Sequence, residues 1–282
     1  MAGAVKPSLT QARGALLREI TTVDEHGQRR TIEVPVERPL TLYVDKRELV
    51  TLMTLGQLPE LLVLGYLLNQ RLVSDLSALE SVTVDWEVNA AAVRTRGGLP
   101  DLLGRTERRV ITTGCGQGTV FGEVMAGLEG MRLPPVEQAR LSQGTLYRML
   151  ETMRHQESIH RRAGSVHGCA LFRGEELLVF VEDVGRHNAI DTIAGWMALH
   201  DVGAHDKVFY TTGRLTSEMV LKSAQIGVPI IVSRNGVTAM GHEMAERLGM
   251  TLFGRALNRH FLCYTGFERF DADGPIAADP AT

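Results

Sequence analysis

The stretch Val181–Gly195, VEDVGRHNAIDTIAG, decides the fold. An apolar run, Leu177 to Val181, breaks into Glu182 and Asp183, turns at Gly185, and resumes as Ile190, Ile193 and Trp196 at helical spacing. That pattern is a buried strand running into a helix. In an open α/β sheet the crevice beyond the strand carboxyl ends receives ligands, and a helix N-terminus there presents unpaired N–H groups to anions. Glu182, Asp183, Arg186, His187, Asn188 and Asp191 all crowd this junction. Two explanations fit the crowding: a ligand site, or a polar network that pins the turn.

Around this stretch the chain alternates. Strand-like runs fall near Ala170–Phe172, Leu177–Val181, Val208–Thr211, Pro229–Val232 and Thr251–Phe253, with helices after Gly185, Arg214 and Thr238 and a last strand at Phe261–Tyr264. This βαβ rhythm predicts a largely parallel sheet covered by helices. Upstream, Thr31–Val36, Leu40–Val44, Leu49–Met53, Ser81–Val88 and Arg108–Thr112 read as strands, and Leu61, Leu62, Leu64, Gly65 and Leu68 mark a buried helix. A glycine-rich run from Thr112 to Thr119 continues through Gly122, Gly127 and Gly130 to Pro134-Pro135, and reads as a long mobile loop. A helix with Leu146, Met149, Leu150 and Met153 on one stripe follows. The expected division is a flexible arm or first hairpin at 1–30, a β-rich subdomain at 31–134 that includes the cysteine loop 112–134, an α/β domain at 135–270, and a tail at 271–282.

Bulk properties narrow the setting. The 282 residues, 44% hydrophobic, suffice for one large domain or two modest ones. A net charge of −3 shows no basic bias toward nucleic acid or an anionic membrane. Three cysteines far apart, Cys115, Cys169 and Cys263, make no disulfide framework and suit a reducing compartment. With no signal-peptide pattern and no run long enough to span a membrane, the expectation is a soluble cytoplasmic protein without nucleic-acid or membrane partners.

Cys115 has the most reactive setting, because it sits among glycines whose N–H groups turn freely toward a thiolate. An incidental loop residue is the alternative. Cys169 and Cys263 lie in apolar strand-like runs and read as core. His155-Gln156-Glu157 has the H-x-E spacing of zinc deaminases, but the matching P-C-x-x-C is absent, so no zinc is expected. H-E-x-x-H, a P-loop and a strand-linked G-x-G-x-x-G are also missing. Tyr210-Thr211-Thr212-Gly213-Arg214 ends a strand and leads into a helix with Glu218 and Lys222, a combination suited either to a phosphate or to a plain N-cap beside a surface arginine. Ser233–Thr238 ends a third strand in the same manner. Three polar strand ends in one sheet would line one crevice.

Glu182–Asp191, followed by Gly213-Arg214, Ser217–Val220 and Lys222, resembles the FdhD family of formate dehydrogenase accessory sulfurtransferases. The likeness extends to Glu37–Leu40, Leu64–Leu67, Cys115-Gly116, Gly164 with His167, Thr251-Leu252 with Gly254, and Tyr264-Thr265. The resemblance implies a cytidine-deaminase-like α/β fold, with a mixed sheet and flanking helices, usually assembled as a homodimer. It implies a sulfur carrier that accepts a persulfide from a cysteine desulfurase and delivers sulfur to the molybdenum (or tungsten) bis-molybdopterin guanine dinucleotide cofactor of formate dehydrogenase. Cys115 matches the persulfide cysteine. Arg255, Ala256, Leu257, Asn258, Arg259 and His260 match the guanine-dinucleotide segment, and Arg186, His187 and Arg214 are expected to contact the cofactor.

The chain departs from the family pattern in places. Gly118 stands where a second loop cysteine is common, which removes a two-cysteine relay. Arg255 replaces a Phe, Leu257 and His260 replace arginines, Thr192 a lysine and Val237 a proline. Two rival readings follow. One is a cofactor-binding chaperone that passes no sulfur, and the other is a zinc nucleotide deaminase of similar fold.

Overall fold

The structure, a computed structural model, describes residues 5–98 and 131–273. Cys115, the glycine-rich run around it and the strand expected at Arg108–Thr112 lie outside the described residues. The chain forms two compact units. The first gathers described residues within Met1–Glu129 together with Glu157–Cys169 and Phe180–Val202, and the second those within Gly130–Gln156, Ala170–Val179 and Gly203–Thr282.

In the first unit, β1 (Ser8–Leu9) opens the chain, and β2 (Leu17–Val23) and β3 (Arg29–Pro35) form an antiparallel hairpin. Its turn is held by the Asp24 carboxylate, which accepts from His26 N and Gln28 N. The stretch read as a flexible arm or first hairpin, 1–30, thus contains β1, β2 and the start of β3, and the β2–β3 hairpin runs on to Pro35. β4 (Arg38–Val44), β5 (Arg47–Thr54), β6 (Leu79–Asp85) and β7 (Ala90–Thr95) complete a mixed sheet in the order β1-β6-β7-β4-β5. Period-two patterning points Leu40, Leu42, Val44, Val82, Val84, Ala91 and Val93 to one core.

Between β5 and β6 runs α1 (Pro59–Asn69), started by proline at its first turn and buried on nearly every face. Such a helix needs cover on both sides. The sheet supplies one, and the Arg186–Leu199 helix supplies the other. Glycines make that helix pair possible: a Cβ on Gly195 would lie 2.0 Å from the Leu61 carbonyl oxygen, so the two backbones touch. This close packing places the helix in the first unit, whereas the linear sequence division assigned it to the 135–270 segment.

The second unit begins with β8 (Leu141–Ser142) and α2 (Gln143–His155), whose N-cap Ser142 accepts from Thr145 N. α3 (Ile159–Ala163), which the sequence reading missed, belongs to the first unit. The hairpin of β9 (His167–Arg173) and β10 (Glu176–Asp183) passes from one unit into the other, and α4 (Arg186–Leu199) follows it. β11 (Lys207–Thr211), α5 (Ser217–Gln225), β12 (Ile230–Ser233), α6 (Ala239–Leu248), β13 (Thr251–Leu257) and β14 (His260–Thr265) complete the α/β part, and β15 (Phe270–Asp271) pairs with β8. The sheet order is β10-β9-β11-β12-β13-β14, with β11, β12 and β13 parallel and β14 antiparallel. Mixed sheets with flanking helices are the architecture expected. Among the described residues no helix is long and apolar enough to cross a membrane.

Candidate functional site

The opening junction is built inside the first unit. Glu182 and Asp183 end β10, and both are buried. Glu182 accepts from Ser158 Oγ, Ile159 N and His160 N at 2.6–3.1 Å, so it caps α3, while its own N–H donates to Gln57 Oε1. Asp183 Oδ2 accepts from Thr54 Oγ1 at 2.5 Å and Leu55 N at 3.1 Å, and Oδ1 from Gly185 N and Asn188 Nδ2. Burial pushes the Asp183 carboxyl up from its ordinary range, against these donors, which act the other way. Asp191 is fully buried and accepts from Asn69 Nδ2 at 2.7 Å. The two acids at the strand end, with Asn188 and Asp191, thus pin the turn and the helix.

Arg186 has a different status. It occupies the first position of α4, whose N-cap, Gly185, supplies no side-chain hydrogen bond. Its guanidinium is buried, at 6% residue exposure, and Nε has no hydrogen-bond partner among the described residues. A buried cation in that state, beside the positive end of a helix, has the chemistry to hold an anion. His187, at the next position, is also buried.

The second unit holds Arg214 and the Arg255–His260 segment. Arg214 is exposed on the loop between β11 and α5. That loop is zipped to the one after β12: Ser233 Oγ donates to Gly213 O at 2.6 Å, Asn235 Nδ2 to Thr212 O at 2.8 Å, and Leu215 N to Gly236 O at 3.0 Å. The Asn235 carbonyl then accepts from Arg255 N at 2.9 Å. One hydrogen-bonded cluster therefore holds the loop of Arg214 and the start of the predicted guanine segment.

Within the segment, Arg255, Leu257, Asn258, Arg259 and His260 are exposed on the β13–β14 hairpin and Ala256 is buried. Arg255 adopts positive φ, 51°, at an irregularity in the strand pairing, and Asn258 adopts positive φ, 57°, in the turn between the strands. The Arg259 guanidinium lies 5.9 Å from the Tyr147 ring centroid, a cation–π pairing.

Thr54 and Arg269 were not predicted, and Asn235 was read only as part of the polar strand end Ser233–Thr238, without its linking role. A linking asparagine in a turn has no sequence signature, and the partners of the other two are remote in the chain. A cavity of about 230 Å³, at the amino ends of β11 and β12, is lined by Arg140, Arg173, Asp206 and Lys207 among others and includes none of the predicted residues. Among the described residues, no three His, Cys, Asp or Glu side chains converge as a metal site. His155 instead lies exposed beside Glu151 at the end of α2.

Fold and junctions together define an α/β protein whose strand ends feed helix N-termini, an architecture that receives anionic ligands. The chain belongs to the FdhD/NarQ family, whose model matches residues 35–271. It is 30% identical over 247 residues to the sulfur carrier protein FdhD of Bacillus pumilus, covering 85% of this chain and 91% of the relative. The FdhD of Bacillus subtilis is 30% identical over 249 residues, covering 87% and 94%. A crystal structure described as a formate dehydrogenase accessory protein from Desulfotalea psychrophila superposes with a TM-score of 0.72 at 26% identity, covering 90% of this chain and 98% of that one.

Proposed function

We propose that this protein carries sulfur as a persulfide on Cys115, taken from a cysteine desulfurase, to the molybdenum or tungsten bis-molybdopterin guanine dinucleotide cofactor that a formate dehydrogenase requires. In the first step the Cys115 thiolate attacks the terminal sulfur of the desulfurase persulfide. A new S–S bond forms on Cys115 and the donor cysteine leaves as a thiolate. The cofactor is substrate here. Its pyrophosphates are anionic, which suits the buried guanidinium of Arg186 in the first unit and, taken separately, the exposed guanidinium groups of Arg214, Arg255 and Arg259 in the second. His187 adjoins that site as a hydrogen-bonding group. The names of the relatives support sulfur carriage.

The observation that carries the cofactor assignment is the buried Arg186, with Nε unsatisfied at an uncapped helix start. Calorimetric titration with guanosine diphosphate, which has the cofactor's guanine and pyrophosphate, tests it. Arg186→Met is expected to weaken binding about tenfold or more, and unchanged affinity would remove Arg186 from the site. Gly118, in place of a second cysteine, favours the chaperone as a second reading. In that case a Cys115→Ala variant would still restore formate dehydrogenase activity to a deficient cell, whereas a sulfur carrier without Cys115 would not.

A further inference from the structure

We infer that Thr54, at the end of β5, is a positioning residue for the Arg186 anion site, holding the β10–α4 turn through the Asp183 carboxylate. The inference rests on the reading of Arg186 given above. Thr54 is 1% exposed and has one arrangement open to its hydroxyl: the oxygen accepts from Gly56 N at 3.0 Å, so the proton goes to Asp183 Oδ2. Leu55 N donates to that same oxygen. On the other side Asn188 spends both amide protons, one on Asp183 Oδ1 and one on Met53 O at 2.7 Å.

Three successive residues, Met53 and Thr54 at the end of β5 and Leu55 just beyond it, therefore close a ring with Asp183 and Asn188 around Gly185 and Arg186. Arg186 is inside that ring in sequence but makes none of its bonds. Its place is set by its neighbours. A buried carboxylate is costly unless its lone pairs are filled, so each of the four donors counts. Valine has the shape of threonine without the donor. In Thr54→Val, Oδ2 keeps only Leu55 N, the Asp183 side of the turn loses its bond to β5 while Asn188 keeps Met53 O, and the position of Arg186 loosens.

The test is a double-mutant cycle on the full chain, with guanosine diphosphate as the probe and thermal unfolding followed in parallel. Thr54→Val is expected to weaken binding about tenfold, and Thr54→Ser, which keeps the hydroxyl, to stay within about twofold of wild type. The decisive reading is Thr54→Val combined with Arg186→Met, which is expected to bind no more weakly than Arg186→Met alone. A general loss of stability would instead lower affinity in both backgrounds alike, and that result overturns the inference. Wild-type affinity in Thr54→Val, where Arg186→Met has lost binding, overturns it while leaving the anion site standing. Wild-type affinity in Arg186→Met overturns both. Should Thr54→Val be recovered unfolded, Asn188→Ala removes the side-chain donor to the other carboxylate oxygen together with the bond to Met53 O, leaves Gly185 N on that oxygen, and is read by the same criteria.

Discussion

Gly65 in α1 faces the main chain of Asp191 in α4 so closely that a Cβ on Gly65 would lie 1.6 Å from the Asp191 carbonyl oxygen. With Gly195 against Leu61 O, and Asn69 bonded to the Asp191 side chain, the contact fixes α4 on α1 backbone to backbone. The helix that presents Arg186 is thereby mounted on the most buried helix of the first unit. Gly65→Ala is expected to force the helices apart and to cost about 3 kcal/mol, read as a lower urea midpoint at unchanged slope.

Arg269 is the corresponding fixture of the second unit. It is 4% exposed and donates to the carbonyls of Pro134, Pro135 and Ala139, while Arg140 forms a two-pronged pair with Asp271. Burial lowers the Arg269 pKa. Arg269→Met removes the guanidinium donor from the Pro134, Pro135 and Ala139 carbonyls, of which Pro135 O keeps Gln138 N, and a loss of about 2–4 kcal/mol is expected. Hydrogen exchange in residues 134–142 is expected to quicken more than in β11 or β12. Equal quickening everywhere would contradict a local clasp.

Two carboxyl groups give the stability opposite slopes with pH. Glu151 is exposed and hydrogen-bonded by Arg154 and His155, which hold its pKa down at about 2. Its contribution is present above the ordinary carboxylate range and is lost as pH falls through about 2. Asp183 is raised by burial, so between the ordinary carboxylate range and that raised value the folded chain keeps a proton there that the unfolded chain has released, and above it the carboxylate with its four donors is the folded form. Stability from this group falls as pH rises from the ordinary carboxylate range through the raised value. Urea midpoints from about pH 2 to 7 are expected to lose the first slope in Glu151→Gln and the second in Asp183→Asn. The Glu151 effect is expected to shrink in high salt, since the pair is exposed.

Much of this architecture is legible in the sequence, for physical reasons. The strand-to-helix junction at Val181–Gly195 shows because a buried strand is all apolar and its end is not. The strands after residue 170 show for the same reason. β7, Ala90–Thr95, does not, because an alanine-rich run lacks the β-branched and aromatic residues that mark a strand. Membership of α4 in the first unit depends on Gly65 and Gly195 meeting across 130 residues of chain, and a sequence gives no measure of that distance. The acids of the motif read equally as ligands or as network. Structure separates them: Glu182 and Asp183 are filled by donors from α3, β5 and the turn, whereas Arg186 Nε remains open. Thr54 was out of reach because its partner stands 129 residues away.

Sulfur carriage on Cys115 is the central claim, and intact-protein mass spectrometry after incubation with a cysteine desulfurase and free cysteine tests it most directly. The account predicts that the wild-type chain gains one sulfur, released by reductant, and that Cys115→Ala gains none. Equal gain by Cys115→Ala, or no gain by the wild type while a Bacillus subtilis FdhD control loads in parallel, would contradict it.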